Sequence, residues 1–248
     1  MLDQLVLRSE PEVQDRYAGD IGDFVKLGLL RAISPGYALG LAWYHVPDEG
    51  HNDDGRHIGY TAQPETYSAL DPYLFKHLGV VAVGDRTIAS LLPALPGATI
   101  TSQTLDVAGV PFHQRRQWRQ VWFSKVLTDL EGCDLVFADP DNGLVDDSDH
   151  RKGKAVFSKQ LPLAEAKALA DGRCAVVYHH NTRRRGGHDA EVDYWLAQFG
   201  VYAIAVRATA YSPRTFFILN PTPEIEERVR DFCIKWSAIK VRIHDLRC

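Results

Sequence analysis

The 248-residue chain is 45% hydrophobic and 24% charged, enough apolar content to bury one large core at a length near the upper size for a single domain. One domain over residues 1–248 is expected. The formal net charge of −4 excludes a whole-molecule electrostatic attraction to nucleic acid, so any such contact must use local patches. Cys133, Cys174, Cys233 and Cys248 show no Cys-x-x-Cys spacing, and two of them fall in apolar strand-like runs; buried thiols in a reducing cytoplasm are the expectation. No basic-then-apolar leader opens the chain, and no apolar run approaches the roughly 20 residues needed to span a bilayer, so no membrane partner is expected.

In chain order, residues 21–33 read as a helix, with Phe24, Leu27 and Leu30 near helical spacing and Pro35-Gly36 as its stop. Residues 37–46 read as a strand. Helix is expected over 62–78, extended chain over 80–83, helix over 86–92, a strand over 99–102 and a helix over 114–130. The second half continues with strand 134–138, helix 161–170, strand 173–178, helix 188–199 and strand 201–208. Residues 214–219 give a further apolar strand after a Tyr211-Ser212-Pro213 turn, and 223–236 a last amphipathic helix after Asn220-Pro221. Strand and helix alternate throughout. The fold class expected is α/β, a doubly wound Rossmann-like, mostly parallel sheet with a C-terminal antiparallel edge hairpin.

Three loops carry candidate chemistry. The run from Asp134 through Asp139-Pro140-Asp141-Asn142-Gly143 is an apolar strand that delivers two carboxylates and an amide into a turn, and acids at a strand's carboxyl end face the ligand crevice of such a sheet. The stretch after the first strand, beginning at Tyr44, concentrates His51, Asp53, Arg56 and His57, set against the alternative of a solvated, turn-forming loop. After another apolar strand come His179, His180, Arg183, Arg184, Arg185 and His188, where arginines could clamp phosphate bidentately; a solubilising basic turn and an ordinary packed histidine are the plain alternatives. A helix containing Arg115, Arg116, Trp118, Arg119 and Trp122 could contact a nucleic-acid backbone, with core packing equally open to its tryptophans. No His-x-x-x-His or His-x-His spacing marks a metal site, no Gly-x-Ser-x-Gly elbow marks a serine hydrolase, and there is no P-loop.

Tyr17-Ala18-Gly19-Asp20-Ile21-Gly22-Asp23-Phe24-Val25-Lys26 resembles the N-terminal His-Ala-Gly-Asn-x-x-Asp-x-x-Lys motif of the bacterial 23S ribosomal RNA adenine-N6 methyltransferase family of the J type. Asp139-Pro140 and residues 216–221 stand where that family has its Asp-Pro-Pro-Tyr strand and its closing hairpin with Asn-Pro, and the element order is similar over nearly the whole chain. The resemblance implies a Rossmann-like fold, S-adenosylmethionine as cofactor, and Lys26 and Asp139 at the donor and catalytic site, with Asp20 and Asp23 nearby. Three departures stand beside it. The turn after the first strand is not Gly-rich, Asp85 is the one candidate for the acid that would hold the donor ribose, and no aromatic follows Asp139-Pro140.

A scaffold that extracts a base but lacks its donor motifs suits hydrolysis of what it extracts. The leading expectation is a nucleic-acid hydrolase that breaks an N-glycosidic bond without a cofactor. Asp139 or Asp141 would orient water or stabilise a cationic sugar, and Asn142 and His179 would hold the base. Lys26 with Arg183, Arg184 and Arg185 would bind phosphates of DNA or RNA, and Asp20, Asp23, Tyr44, His51, Asp53, Arg56, His57, His180 and His188 would line the site. The alternatives are a methyltransferase using S-adenosylmethionine, a Mg²⁺-dependent nuclease, and a non-catalytic nucleic-acid-binding module.

Overall fold

Asp20 is extended and its Oδ1 accepts a hydrogen bond from the Asp23 amide at 3.0 Å, so the chain enters helix α1 (Ile21–Ile33) through a side-chain cap. A computed structural model describes residues 18–44, 57–101, 104–148 and 151–245. The first strand, β1 (Leu39–Trp43), is buried along its whole length. Three short helices follow, α2 (Pro64–Tyr67), α3 (Pro72–Val83) and α4 (Ile88–Leu91), and then β2 (Thr99–Ile100) and α5 (Arg115–Asp129). β3 (Leu135–Asp139), β4 (Leu144–Val145), β5 (Leu161–Pro162), α6 (Leu163–Leu169), β6 (Cys174–His180), α7 (Gly187–Phe199), β7 (Ala203–Ala208), β8 (Arg214–Leu219), α8 (Pro223–Lys235) and β9 (Val241–Ile243) complete the described chain.

Seven strands form one sheet in the order β2-β1-β3-β6-β8-β7-β9. The first four run parallel; β8 is antiparallel to both β6 and β7, and β9 is antiparallel to β7. This is the expected Rossmann-like α/β architecture. One addition concerns its end: the β7–β8 hairpin is extended by β9, a three-residue strand too short to announce itself in the sequence.

Because strand side chains alternate, the sheet has two apolar faces. Leu41, Trp43, Phe137, Val176 and Phe216 meet α1, α3 and α8 on one side. Ala42, Val136, Ala138, Val177 and Phe217 meet α5, α6 and α7 on the other.

Two expected elements differ. The helix expected over 62–78 is broken, because Pro64 and Pro72 each occupy a first turn and start a new helix there; Asp71 caps the second by accepting from the Leu74 amide at 2.9 Å. The extended chain expected over 80–83 is instead the last turn of α3, whose Leu74, Leu78 and Val81 bury one helical stripe. No helix among the described residues is long and apolar enough to cross a membrane.

Candidate active site at the carboxyl edge

Lys26 lies one helical turn beyond Asp23, and its ammonium donates to Asp23 Oδ1 at 3.0 Å and to Asp139 Oδ2 at 2.6 Å. The other oxygen of Asp23 accepts from the Gly19 amide at 2.9 Å, so this carboxylate ties the turn before α1 to the lysine. Asp139 ends β3 directly beside Trp43 of β1, and the pairing of Ala138 with Val177 places Tyr178 on its other flank. The Trp43 and Tyr178 rings lie 5.5 and 5.7 Å from the Lys26 ammonium. All these groups share the α1 face of the sheet.

Burial works against the charge on Lys26, but Asp139 and then Asp23 outweigh it and hold its pKa above the usual lysine range. Burial also pushes the Asp139 carboxyl up, with the charge and hydrogen bond of Lys26 opposing the rise. The Asp139 side chain keeps 14% of its surface exposed, and among the described residues no hydrogen bond reaches its Oδ1. Burial and the neighbouring Asp23 raise Asp20 as well, with Arg214 opposing.

Arg214 was not singled out in the sequence. It starts β8, which runs antiparallel to β6, so its backbone pairs with His180 at the same edge. A Cβ on Gly22 would lie 2.6 Å from Arg214 Nη1, which fixes the guanidinium against the start of α1. Its Nη2 donates to Ser212 Oγ at 2.6 Å, and its buried Nε has no partner among the described residues. A lone Arg at the head of an apolar run was its only signal.

Beyond Asp139 the chain turns sharply. Asp141 Oδ2 lies 3.6 Å from the Lys159 ammonium, Asn142 is exposed, and its amide donates to the Lys159 carbonyl at 2.8 Å. Gly143 adopts φ +75°, and a Cβ there would fall 2.9 Å from both His179 Cα and the His180 amide. The turn therefore packs directly on the end of β6.

His179 is not in this cluster, contrary to the expectation that it holds a substrate base. It alternates with Tyr178 and so faces the α7 side, where it is 0% exposed. Its Nδ1 accepts from the Leu144 amide at 3.0 Å and its Nε2 faces Glu191 Oε1 at 3.2 Å. Glu191, unremarked in the sequence, also accepts from Asn181 Nδ2 (3.3 Å), the Thr182 amide (2.8 Å) and Thr182 Oγ1 (2.5 Å). Against the cost of burial, hydrogen bonds from His179 and Thr182 bring its pKa down to about 2.

The remaining expected site residues divide. His57 joins the cluster's rim: its carbonyl accepts from the Ile21 amide at 3.1 Å, and its ring lies 5.7 Å from Tyr211. His180 is exposed at the same edge, its pKa lowered by partial burial and then by Arg214. Arg183 and Arg185 are exposed and His188 is half-buried, whereas Arg184 stacks on Tyr194 at 3.5 Å. Tyr44 points the other way, buried on the α5 face with its hydroxyl donating to Glu165 at 3.0 Å. His51, Asp53 and Arg56 lie outside the described residues. The helix read as a nucleic-acid face is partly core: Trp122 is buried, and Arg119, 5% exposed, clamps Glu165 at 2.7 and 3.0 Å and the Gln160 carbonyl at 2.7 Å.

No protein-family model and no curated protein matches this chain. The site therefore stands on its own geometry. Asp85, the one candidate for a ribose-holding acid, follows α3 and not a strand, and β2, the neighbour of β1, runs into Thr101. Among the described residues no group of three or more His, Cys, Asp and Glu could hold a metal ion. A depression of about 1010 Å³ opens at the opposite edge, lined by Tyr37, Asp134, Arg173 and Asn220, and shares no residue with the Lys26 cluster.

Proposed function

We propose that the chain is a hydrolase that cleaves an N-glycosidic bond in nucleic acid. The observation that carries this reading is Asp139: a carboxylate at a strand exit, held through Oδ2 by the Lys26 ammonium, with no hydrogen bond to Oδ1 among the described residues. Asp20 and Asp23 add two carboxylates around one lysine and one arginine, an excess that favours positive charge developing on a sugar ring.

In the step proposed, the bond from the anomeric carbon to the base nitrogen breaks, and its electron pair leaves with the base. Asp139 stabilises the cationic sugar as water bonds to the anomeric carbon. Asp141 takes the proton that this water loses, and the departing base takes one from solvent. Asn142 and His180, both exposed at this edge, would hydrogen-bond the extracted base, and exposed Arg183 and Arg185 would hold flanking phosphates.

The test is base release from DNA and RNA oligonucleotides. D139N and D141N should each lower the release rate on the order of 100-fold with oligonucleotide binding retained. Release unchanged in both variants, or none by the unaltered protein, sinks the proposal; strand scission that needs Mg²⁺ would make the chain a nuclease. Adenine-N6 methyl transfer is the second reading, favoured by the contact of Lys26 with Asp139, the two positions that the resemblance assigns to one site. Calorimetric binding of S-adenosylmethionine would decide for it. Nucleic acid bound by the unaltered protein without base release, and still bound with alanine at Asp139, Asp141 and His180 together, would mark a non-catalytic module.

A further inference from the structure

Two loops flank the candidate centre, the carboxylate turn 139–143 and the arginine loop 182–185, and the second begins 39 positions after the first ends. Both end on the same two buried side chains. Glu191 receives four hydrogen bonds, three of them from Asn181 and Thr182 at the root of the arginine loop. The fourth comes from His179, whose other ring nitrogen meets the Leu144 amide immediately after the carboxylate turn.

Hydrogen-bond chemistry fixes the proton. An amide can only donate, so His179 Nδ1 must be the unprotonated acceptor, and Nε2 carries the hydrogen toward Glu191. Glu191 accepts from four donors, which a carboxylate can do and a carboxamide cannot. The close approach of Gly143 to His179 leaves the turn little freedom to shift without moving the imidazole.

We propose that Glu191 and His179 form a positioning relay: Glu191 holds the root of the arginine loop and locks the Nε2–H tautomer, and Nδ1 then pins the end of the carboxylate turn, so that the two loops form one preorganised unit. His179 is thus a positioning residue and not one that touches substrate. Its bearing on turnover rests on the proposed hydrolytic centre, but the relay itself can be read without activity.

Long-range ¹H–¹⁵N spectra of the protein should show the neutral His179 ring carrying its proton on Nε2 and none on Nδ1. H179A should speed hydrogen exchange at the Leu144 amide about tenfold or more, the loss of one buried hydrogen bond. H179N, which offers an oxygen near the position of Nδ1 and leaves a cavity of similar size, should restore most of that protection. E191Q should reduce protection of the Leu144 and Thr182 amides together. A proton on Nδ1, unchanged exchange at Leu144 in H179A, or equal loss in H179A and H179N would each overturn the relay, whatever the activity. If the tautomer and exchange behave as stated while the unaltered protein releases no base, the relay stands and the hydrolytic reading falls.

Discussion

Lys26 joins Asp23 and Asp139 in a nearly dry setting, where removing one member of an ion pair costs far more than it would on a surface. K26M should lower stability by about 3 kcal/mol, because Asp139 is left buried without a counter-charge. D139N should cost less, since Lys26 keeps Asp23. Urea unfolding of the double variant should then show a loss smaller than the sum of the singles, and additive losses would mean that the two side chains do not interact. Asp139 was legible in the sequence because a strand exit must put it at the edge; Lys26 was marked only by the resemblance of its motif and read as a phosphate ligand, whereas its ammonium is committed to Asp23 and Asp139. Glu191 and Arg214 were not legible. A single charge in an amphipathic helix or at the head of an apolar strand reads as solvent-facing until its neighbours in space are known.

At the scale of elements, the turn after β3 packs against the last residues of β6, and this contact tolerates no side chain at Gly143. G143A must adopt φ +75° and place a methyl against backbone, so it should destabilise by about 2–4 kcal/mol, seen as a lower urea midpoint at constant slope. Helix and strand types were largely readable from periodicity, as α1, α5, α7 and β6 show. Sidedness was not. Whether His179 accompanies Asp139 depends on the register between β3 and β6, and the period of two along one strand says nothing about that pairing. The prolines at 64 and 72 were visible, yet the apolar spacing around them suggested one helix until each was found opening a new one.

For the molecule as a whole, the acid limb of stability should carry the signature of Glu191. Its folded pKa, down at about 2, is below that of an unfolded glutamate, so its contribution is present above about pH 4.5 and is lost as pH falls toward 2. The linked free energy is on the order of 3 kcal/mol. Thermal melts between pH 2 and 5 should therefore fall more steeply in the unaltered protein than in E191Q, and parallel curves would show that the carboxylate is not held as described. The overall α/β architecture was foreseeable from the alternation of elements, whereas the extra strand β9 was not, because three residues with one arginine in the middle carry no pattern.

The reversed strand β8 has one more consequence. Its first residue brings Arg214 back to an edge otherwise built by β1, β3 and β6, beside a helix that starts at residue 21. The cluster is thus stitched from the two ends of the described chain. During synthesis, all its carboxylates emerge well before the strand that closes it, so a nascent chain short of residue 214 has the acids but not their arginine. Loop closure on that span is slow compared with forming any single helix, and assembly of the cluster would report that β8 has closed onto the amino-terminal helix.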